Sequence, residues 1–176
     1  ADEPITISAS QTGSQAWQPK NYDGKYEGPM KLRTALAKSK NMVSIRILQA
    51  IGTTYAQDYI TRFGFDAERH PPYLTMALGA GSVTPWQMVA AYAVFANGGY
   101  RVTPYIVKEI RDQQGRVLAQ STPAEAGDES LRSIDPRNAY LMYSMLRDVT
   151  LYGTAARASA TLKRQDLAGK TGTTND

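Results

Sequence analysis

The sequence predicts an α+β chain, with helices in series, one antiparallel hairpin and a strand-like closing segment. Three observations carry this. Apolar residues recur at spacings of three, four or seven between Leu32 and Leu48, the period of an amphipathic helix. The turn-forming run Asp112-Gln113-Gln114-Gly115 separates two apolar stretches, as in a hairpin. The last ten residues, Leu167 to Asp176, read as extended chain.

Taken in order, the first 28 residues are rich in Pro, Gly, Ser, Gln and Asn and predict an extended loop, with Trp17, Tyr22 and Tyr26 as its large anchors. Pro29 opens a helix to Ile51, closed by Gly52 and interrupted near its middle by Ser39 and Asn41. A second helix runs from Tyr55 to Phe63 and stops at Gly64, before a loop marked by Pro71-Pro72. Thr84-Pro85 is an N-cap and N1 pair for an apolar helix through Met88, Tyr92 and Phe95, expected to be buried and ended by Asn97-Gly98-Gly99. Strands are expected over Tyr105 to Arg111 and Arg116 to Ala119, followed by an acidic linker over residues 121 to 130. Asp135-Pro136 caps a helix carrying Tyr140, Leu141, Met145, Leu146 and Val149, and a shorter helical piece begins at Gly153-Thr154.

Composition removes several function classes. At 176 residues, 42% hydrophobic and 20% charged, the chain is large enough for one ordinary core. It has no Cys and one His, His70, so no disulfide, thiolate zinc site, cysteine nucleophile or two-His metal site is available. Neither metal nor cofactor is expected. The longest apolar run, Met88 to Ala96, falls far short of the roughly 20 residues of a membrane helix. The formal charge is +4, and Lys20 to Arg46 concentrates seven basic residues against Asp23 and Glu27. That segment is either a solvated face or a field for an anionic partner. No aromatic-interleaved basic motif accompanies it, so nucleic acid is not the expected partner.

Two short motifs carry chemistry. Gly169-Lys170-Thr171 fails as a phosphate loop, because Arg164 stands where the first glycine belongs. Lys170-Thr171-Gly172 instead matches the K-T-G of enzymes that bind penicillins, and Ser39-Lys40-Asn41 supplies its companion, S-x-N. Around them lie Trp17-x-Pro19-x-Asn21-Tyr22-Asp23-Gly24, Leu32-Arg33-x-Ala35-Leu36-Ala37, Thr84-Pro85-x-x-Met88, Ala91-Tyr92-x-x-Phe95-Ala96-Asn97-Gly98-Gly99, Gly153-Thr154-Ala155 and Gly169 to Asn175. In this order the runs resemble the transpeptidase domain of class A penicillin-binding proteins, nearest to their 1a type, over nearly the whole chain.

The resemblance implies a penicillin-binding/serine beta-lactamase-like fold, an antiparallel sheet packed between helical elements. It implies a peptidoglycan substrate ending in D-Ala-D-Ala, inhibition by beta-lactams, and an extracytoplasmic location, on the periplasmic side of the inner membrane, with any membrane anchor outside this chain. Acyl transfer would proceed through a serine. Lys170 would hold positive charge near the site, Ser39 would relay a proton to the departing amine, and Asn41 would orient substrate and a second lysine. Thr171 and Thr173 would bind the substrate carboxylate, with the Thr173 N–H in the oxyanion hole, and Gly172 would let substrate approach the strand. Taken singly, these residues also have plain readings: an exposed lysine, helix-interior Ser and Asn, strand-favouring threonines and a glycine at a bulge.

One element of the pattern is missing. The nucleophile of this family lies in S-x-x-K, where a lysine one helical turn on can take the serine's proton. None of the eight lysines here has a serine three positions earlier. Residues 1–176 are therefore expected to be part of a transpeptidase domain, with the nucleophile segment upstream and the last strands and helix downstream. A nucleophile-free module that binds stem peptides is the alternative. Trp17, Tyr22 and Tyr26 either line a peptidoglycan groove or pack the loop onto the body. His70, before two prolines, reads as a loop residue, since no G-x-S-x-G elbow exists to partner it.

Overall fold

The computed structural model describes residues 1–173, so Thr174, Asn175 and Asp176 at the end of the closing motif lie outside the described residues. The first 28 residues double back on themselves and are fastened at two points. Ile7 and Trp17 exchange backbone hydrogen bonds of 2.9 and 2.8 Å, and Asp2 and Gly28 do the same at 2.8 and 3.0 Å. A one-turn helix, α1 (Ala9–Thr12), sits between the first pair. Of the expected anchors only Trp17 packs against the core; Tyr22 is 95% exposed and Tyr26 is exposed as well. Ile7, fully buried, is the anchor instead, because the Ile7–Trp17 pairing turns its side chain inward.

The expected helix from Pro29 to Ile51 is two helices, α2 (Leu32–Ala37) and α3 (Asn41–Ile51). Ser39 breaks it, with a φ of 55° in the left-handed region. Its N–H donates to the Leu36 carbonyl and the Lys40 N–H to the Ala35 carbonyl, the paired bonds of a Schellman turn. Helix α3 then buries Met42, Ile45 and Leu48 against Ile7, Ala56 of α4 (Thr53–Ile60) and Leu74. A 3₁₀ turn over Thr61–Phe63 extends α4 to Gly64, whose φ of 93° ends it.

Helix α5 (Pro85–Ala96) starts as expected: Thr84 Oγ1 accepts from Gln87 N–H at 3.2 Å, while the Gln87 side chain accepts from the Thr84 N–H at 2.9 Å. It is not buried all round. Ala91 and Val94 face the body, whereas Trp86, Met88 and Val89 are exposed, because neighbouring elements cover one side only. The hairpin pairs β1 (Glu109–Arg111) with β2 (Val117–Gln120), antiparallel, with a register shift between Ile110 and Arg111. Its first strand is shorter than expected. Ser121 Oγ takes the Val107 carbonyl, and Pro123 brings no N–H to carry the ladder back to Tyr105. The acidic linker is irregular up to a 3₁₀ turn at Glu129–Leu131.

Helix α6 (Pro136–Leu151) is capped by Asp135, which accepts from the Arg137 N–H at 2.8 Å, and packs against α2, α5 and α7 (Ala156–Leu162). Val94, Ile134 and Ala139 form a second core where α5 meets α6, flanked by Tyr59, Phe63 and Phe95. Helix α7 begins three residues after Gly153 because the Gly153-Thr154 backbone is used elsewhere, as described below.

Candidate active site

Helix α6 brings the two motifs together. On one side it holds α2: Arg33 donates to Asp148 at 2.6 Å, to the Ser144 carbonyl at 3.2 Å and to the Ser144 hydroxyl at 3.0 Å. On the other side it holds the closing segment. Arg147 donates to the Gln165 carbonyl at 2.9 Å, Thr150 Oγ1 to the Leu167 carbonyl at 2.6 Å, and the Gly169 N–H to the Leu146 carbonyl at 3.2 Å. These bonds occupy backbone groups that a strand would place in a ladder. Residues 165 to 173 pair with no strand among the described residues.

Gly153 completes the junction. Its backbone lies so close to the end of α2 that a Cβ would overlap the Ala37 carbonyl, which accepts the Thr154 N–H at 3.0 Å. The carbonyl just before Lys38 and Ser39 is thus capped from another element. Thr154 Oγ1 in turn contacts Thr171 Oγ1 at 2.6 Å. The Gly153-Thr154-Ala155 run marks the position of Thr154 in the sequence but not this contact, which joins residues 17 positions apart.

With both segments fixed, Lys170 Nζ donates to Ser39 Oγ at 2.7 Å and to the Thr171 carbonyl at 3.0 Å. Half-burial pushes the Lys170 pKa below the ordinary lysine value, by desolvating the ammonium. Since an ammonium can only donate, Ser39 Oγ is the acceptor here and keeps its own proton free for another partner. Asn41 begins α3. Its N–H donates to Asn21 Oδ1 at 2.9 Å and its Nδ2 to the Lys20 carbonyl at 2.8 Å, which leaves Oδ1 as the available end of the amide. Gly172 and Thr173 are exposed, and a Cβ on Gly172 would meet nothing within 4 Å among the described residues.

The basic segment is part solvated and part neutralised: Lys20, Lys25 and Lys31 are exposed, whereas Arg33, Lys38 and Lys40 are held by carboxylates. Lys40 is 2% exposed, and its ammonium lies 3.0 Å from Glu27, 3.2 Å from Asp23 and 3.4 Å from the buried Asp2. Burial opposes the charged form, but the three carboxylates outweigh it and raise the Lys40 pKa to about 12. Lys38 pairs with Glu27 at 2.6 Å, and Arg33 with Asp148. These carboxylates lie far from Lys40 in sequence, so no local spacing signals the cluster. His70 is buried, edge-on to Phe65 and closely covered by Gly81, in a packing role.

A left-handed serine of the S-x-N motif and a half-buried lysine of the K-T-G motif thus meet in one hydrogen bond. The family model described as the penicillin binding protein transpeptidase domain matches residues 1–176, and the chain belongs to that family. It is 54% identical over 175 residues to penicillin-binding protein 1A of Neisseria flavescens, covering 99% of this chain and 22% of that protein. To penicillin-binding protein 1A of Pseudomonas aeruginosa it is 41% identical over 220 residues, covering 99% of this chain and 26% of that protein. The crystal structure of penicillin-binding protein 1A from Haemophilus influenzae superposes with a TM-score of 0.87 at 36% identity, covering 99% of this chain and 30% of that one. A D,D-transpeptidase domain from Eggerthella lenta, at 20% identity and a TM-score of 0.72, shares the fold. The chain spans about a quarter of the length of the curated relatives it matches.

Proposed function

We propose that this chain is part of a peptidoglycan D,D-transpeptidase that cross-links stem peptides through a serine acyl-enzyme and is inhibited by beta-lactams. The observation that carries the reading is the 2.7 Å contact from Lys170 Nζ to Ser39 Oγ, made in a chain of the transpeptidase family. The nucleophilic serine belongs to an S-x-x-K in another part of the parent protein. Its oxygen attacks the carbonyl of the penultimate D-Ala, the amide C–N bond breaks, and the terminal D-Ala leaves as the free amine. The amine of a neighbouring strand then attacks the ester and releases the serine. A beta-lactam follows the first half only, its ring C–N bond opening on the same serine.

Ser39 is suited to the proton step because its hydrogen is not spent on Lys170. Lys170 supplies positive charge for the substrate's terminal carboxylate, and Thr171 and Thr173 add hydroxyl donors. Gly172 is required neither by positive φ nor by packing among the described residues, which suits a strand that substrate approaches closely. The Thr173 N–H forms half of the oxyanion hole, and Asn41 Oδ1 accepts from the lysine of S-x-x-K. Stem peptides and beta-lactams are the partners, together with the other segments of the domain. No metal or cofactor takes part. The same reading puts the protein on the periplasmic side, held by an anchor in another part of the parent; among the described residues no helix is long and apolar enough to cross a membrane.

Labelling of the full-length protein with a fluorescent penicillin tests the reading. Stoichiometric adduct is expected, with Lys170→Ala slowing acylation by roughly 10²- to 10³-fold, the scale for losing one preorganised electrostatic group. A full-length protein that takes no label is a binding module. A Lys170→Ala protein that labels at the wild-type rate removes residues 170 to 173 from the mechanism.

A further inference from the structure

Resting on that reading, we propose that Lys40, the middle residue of the S-x-N motif, is a positioning residue: it straps the N-terminal loop across the Ser39–Asn41 turn and so holds the Ser39 hydroxyl within reach of Lys170. Ser39 points to Lys170, whereas Lys40 and Asn41, the next two residues, point to the loop. The Lys40 ammonium gathers Asp2, Asp23 and Glu27, and also lies 3.4 Å from the Lys25 carbonyl. Asn41 binds Asn21 and Lys20. Asn21, buried, is the second clasp: its Nδ2 donates to Asp2 at 2.6 Å and to the Lys25 carbonyl at 2.7 Å, while its Oδ1 takes the Asn41 N–H. Asp2 closes the ring by accepting from the Glu27 N–H at 3.0 Å.

Two features separate this from ordinary fold support. A buried lysine among three carboxylates is a weak source of net stability, because desolvation offsets much of the attraction. What such a cluster supplies is fixed geometry. That geometry is needed here, because a non-glycine residue with left-handed φ relaxes unless its surroundings over-determine it. The Lys40 N–H closes the turn on the α2 side, through the Ala35 carbonyl, and the Lys40 side chain closes it on the loop side. One residue therefore fixes the serine's backbone from two directions.

The test uses the full-length protein and acylation by a fluorescent penicillin, measured per folded molecule and resolved into a rate at saturation and an apparent Kd. Lys40→Met is expected to lower the saturating rate by about 10- to 100-fold, the effect of displacing a reacting group by a fraction of an ångström, while moving the Kd far less. Lys40→Arg, which keeps the charge, should recover most of the rate. Should Lys40→Met fail to fold, the milder Asp23→Asn/Glu27→Gln double variant carries the test, since both carboxylates are partly exposed; a several-fold loss of saturating rate is expected. Folded variants that acylate at the wild-type rate overturn the proposal, as does a loss that only tracks the lost folded fraction or that Lys40→Arg does not recover. A wild-type protein that takes no label fails the functional reading instead, and this one with it.

Discussion

At Ser39 the backbone and the side chain make opposite demands. The turn between α2 and α3 wants glycine, because a Cβ at a φ of 55° crowds the local backbone, whereas the contact with Lys170 wants a hydroxyl. Serine satisfies the second at the expense of the first. Replacing it by alanine and by glycine separates the two. In the full-length protein both variants should lose acylation to the same extent, since both lack the hydroxyl. The transpeptidase transition of Ser39→Gly should nevertheless be more stable than that of Ser39→Ala by about 1 kcal/mol, the order of the left-handed penalty for a residue with a Cβ. Thermal unfolding measured beside labelling decides it. Equal stability of the two variants would mean that the turn carries no strain, and unequal acylation would mean that the backbone rather than the hydroxyl sets the rate.

At the scale of elements, the site depends on how closely α6 and its C-terminal turn approach α2. Gly153 permits that approach, so Gly153→Ala should force the Ala37 carbonyl away and cost about 1–3 kcal/mol, as overpacking a rigid backbone contact does. The shift also pulls at Thr154, and through its hydroxyl at Thr171, so acylation of the folded protein should slow along with the fall in Tm. An unchanged Tm would show that α2 and α6 have room to part. This contact illustrates which features the sequence makes legible. The Thr84 and Asp135 caps, the Asp112–Gly115 turn and the period of α3 are local in sequence, and each stands where it was read. The break at Ser39 was visible only as an interruption, because the Schellman turn that makes it normally announces itself by glycine. The S-x-N and K-T-G residues were legible as motifs, whereas Thr154 and the Lys40 cluster were not assigned. Their partners come from segments brought together only by folding, so no spacing could mark them.

For the whole molecule, two cores and one polar junction account for the arrangement: α3 on the N-terminal segment, α5 on α6, and the Ser39–Lys170 contact between α2 and the closing segment. Several large apolar side chains on the helices remain exposed, among them Leu32 at 58%, Val89 at 68% and Leu141 at 55%. They lie on α2, α5 and α6, the helices that build the site and its support, and such faces are ordinarily covered by neighbouring structure. The chemistry is distributed in the same way. Lys170 and Ser39 orient and stabilise, but no serine in residues 1–176 has a lysine three positions on. A polypeptide of these 176 residues alone should therefore form no covalent adduct with a fluorescent penicillin, and its α2 and α5 amides should exchange hydrogen faster than the same amides in the full-length protein. Intact mass measurement and hydrogen exchange read the two outcomes independently. Stoichiometric labelling of the isolated polypeptide would reveal a nucleophile that needs no S-x-x-K. Protection equal to that of the full-length protein would show that the exposed faces need no cover and that residues 1–176 fold autonomously.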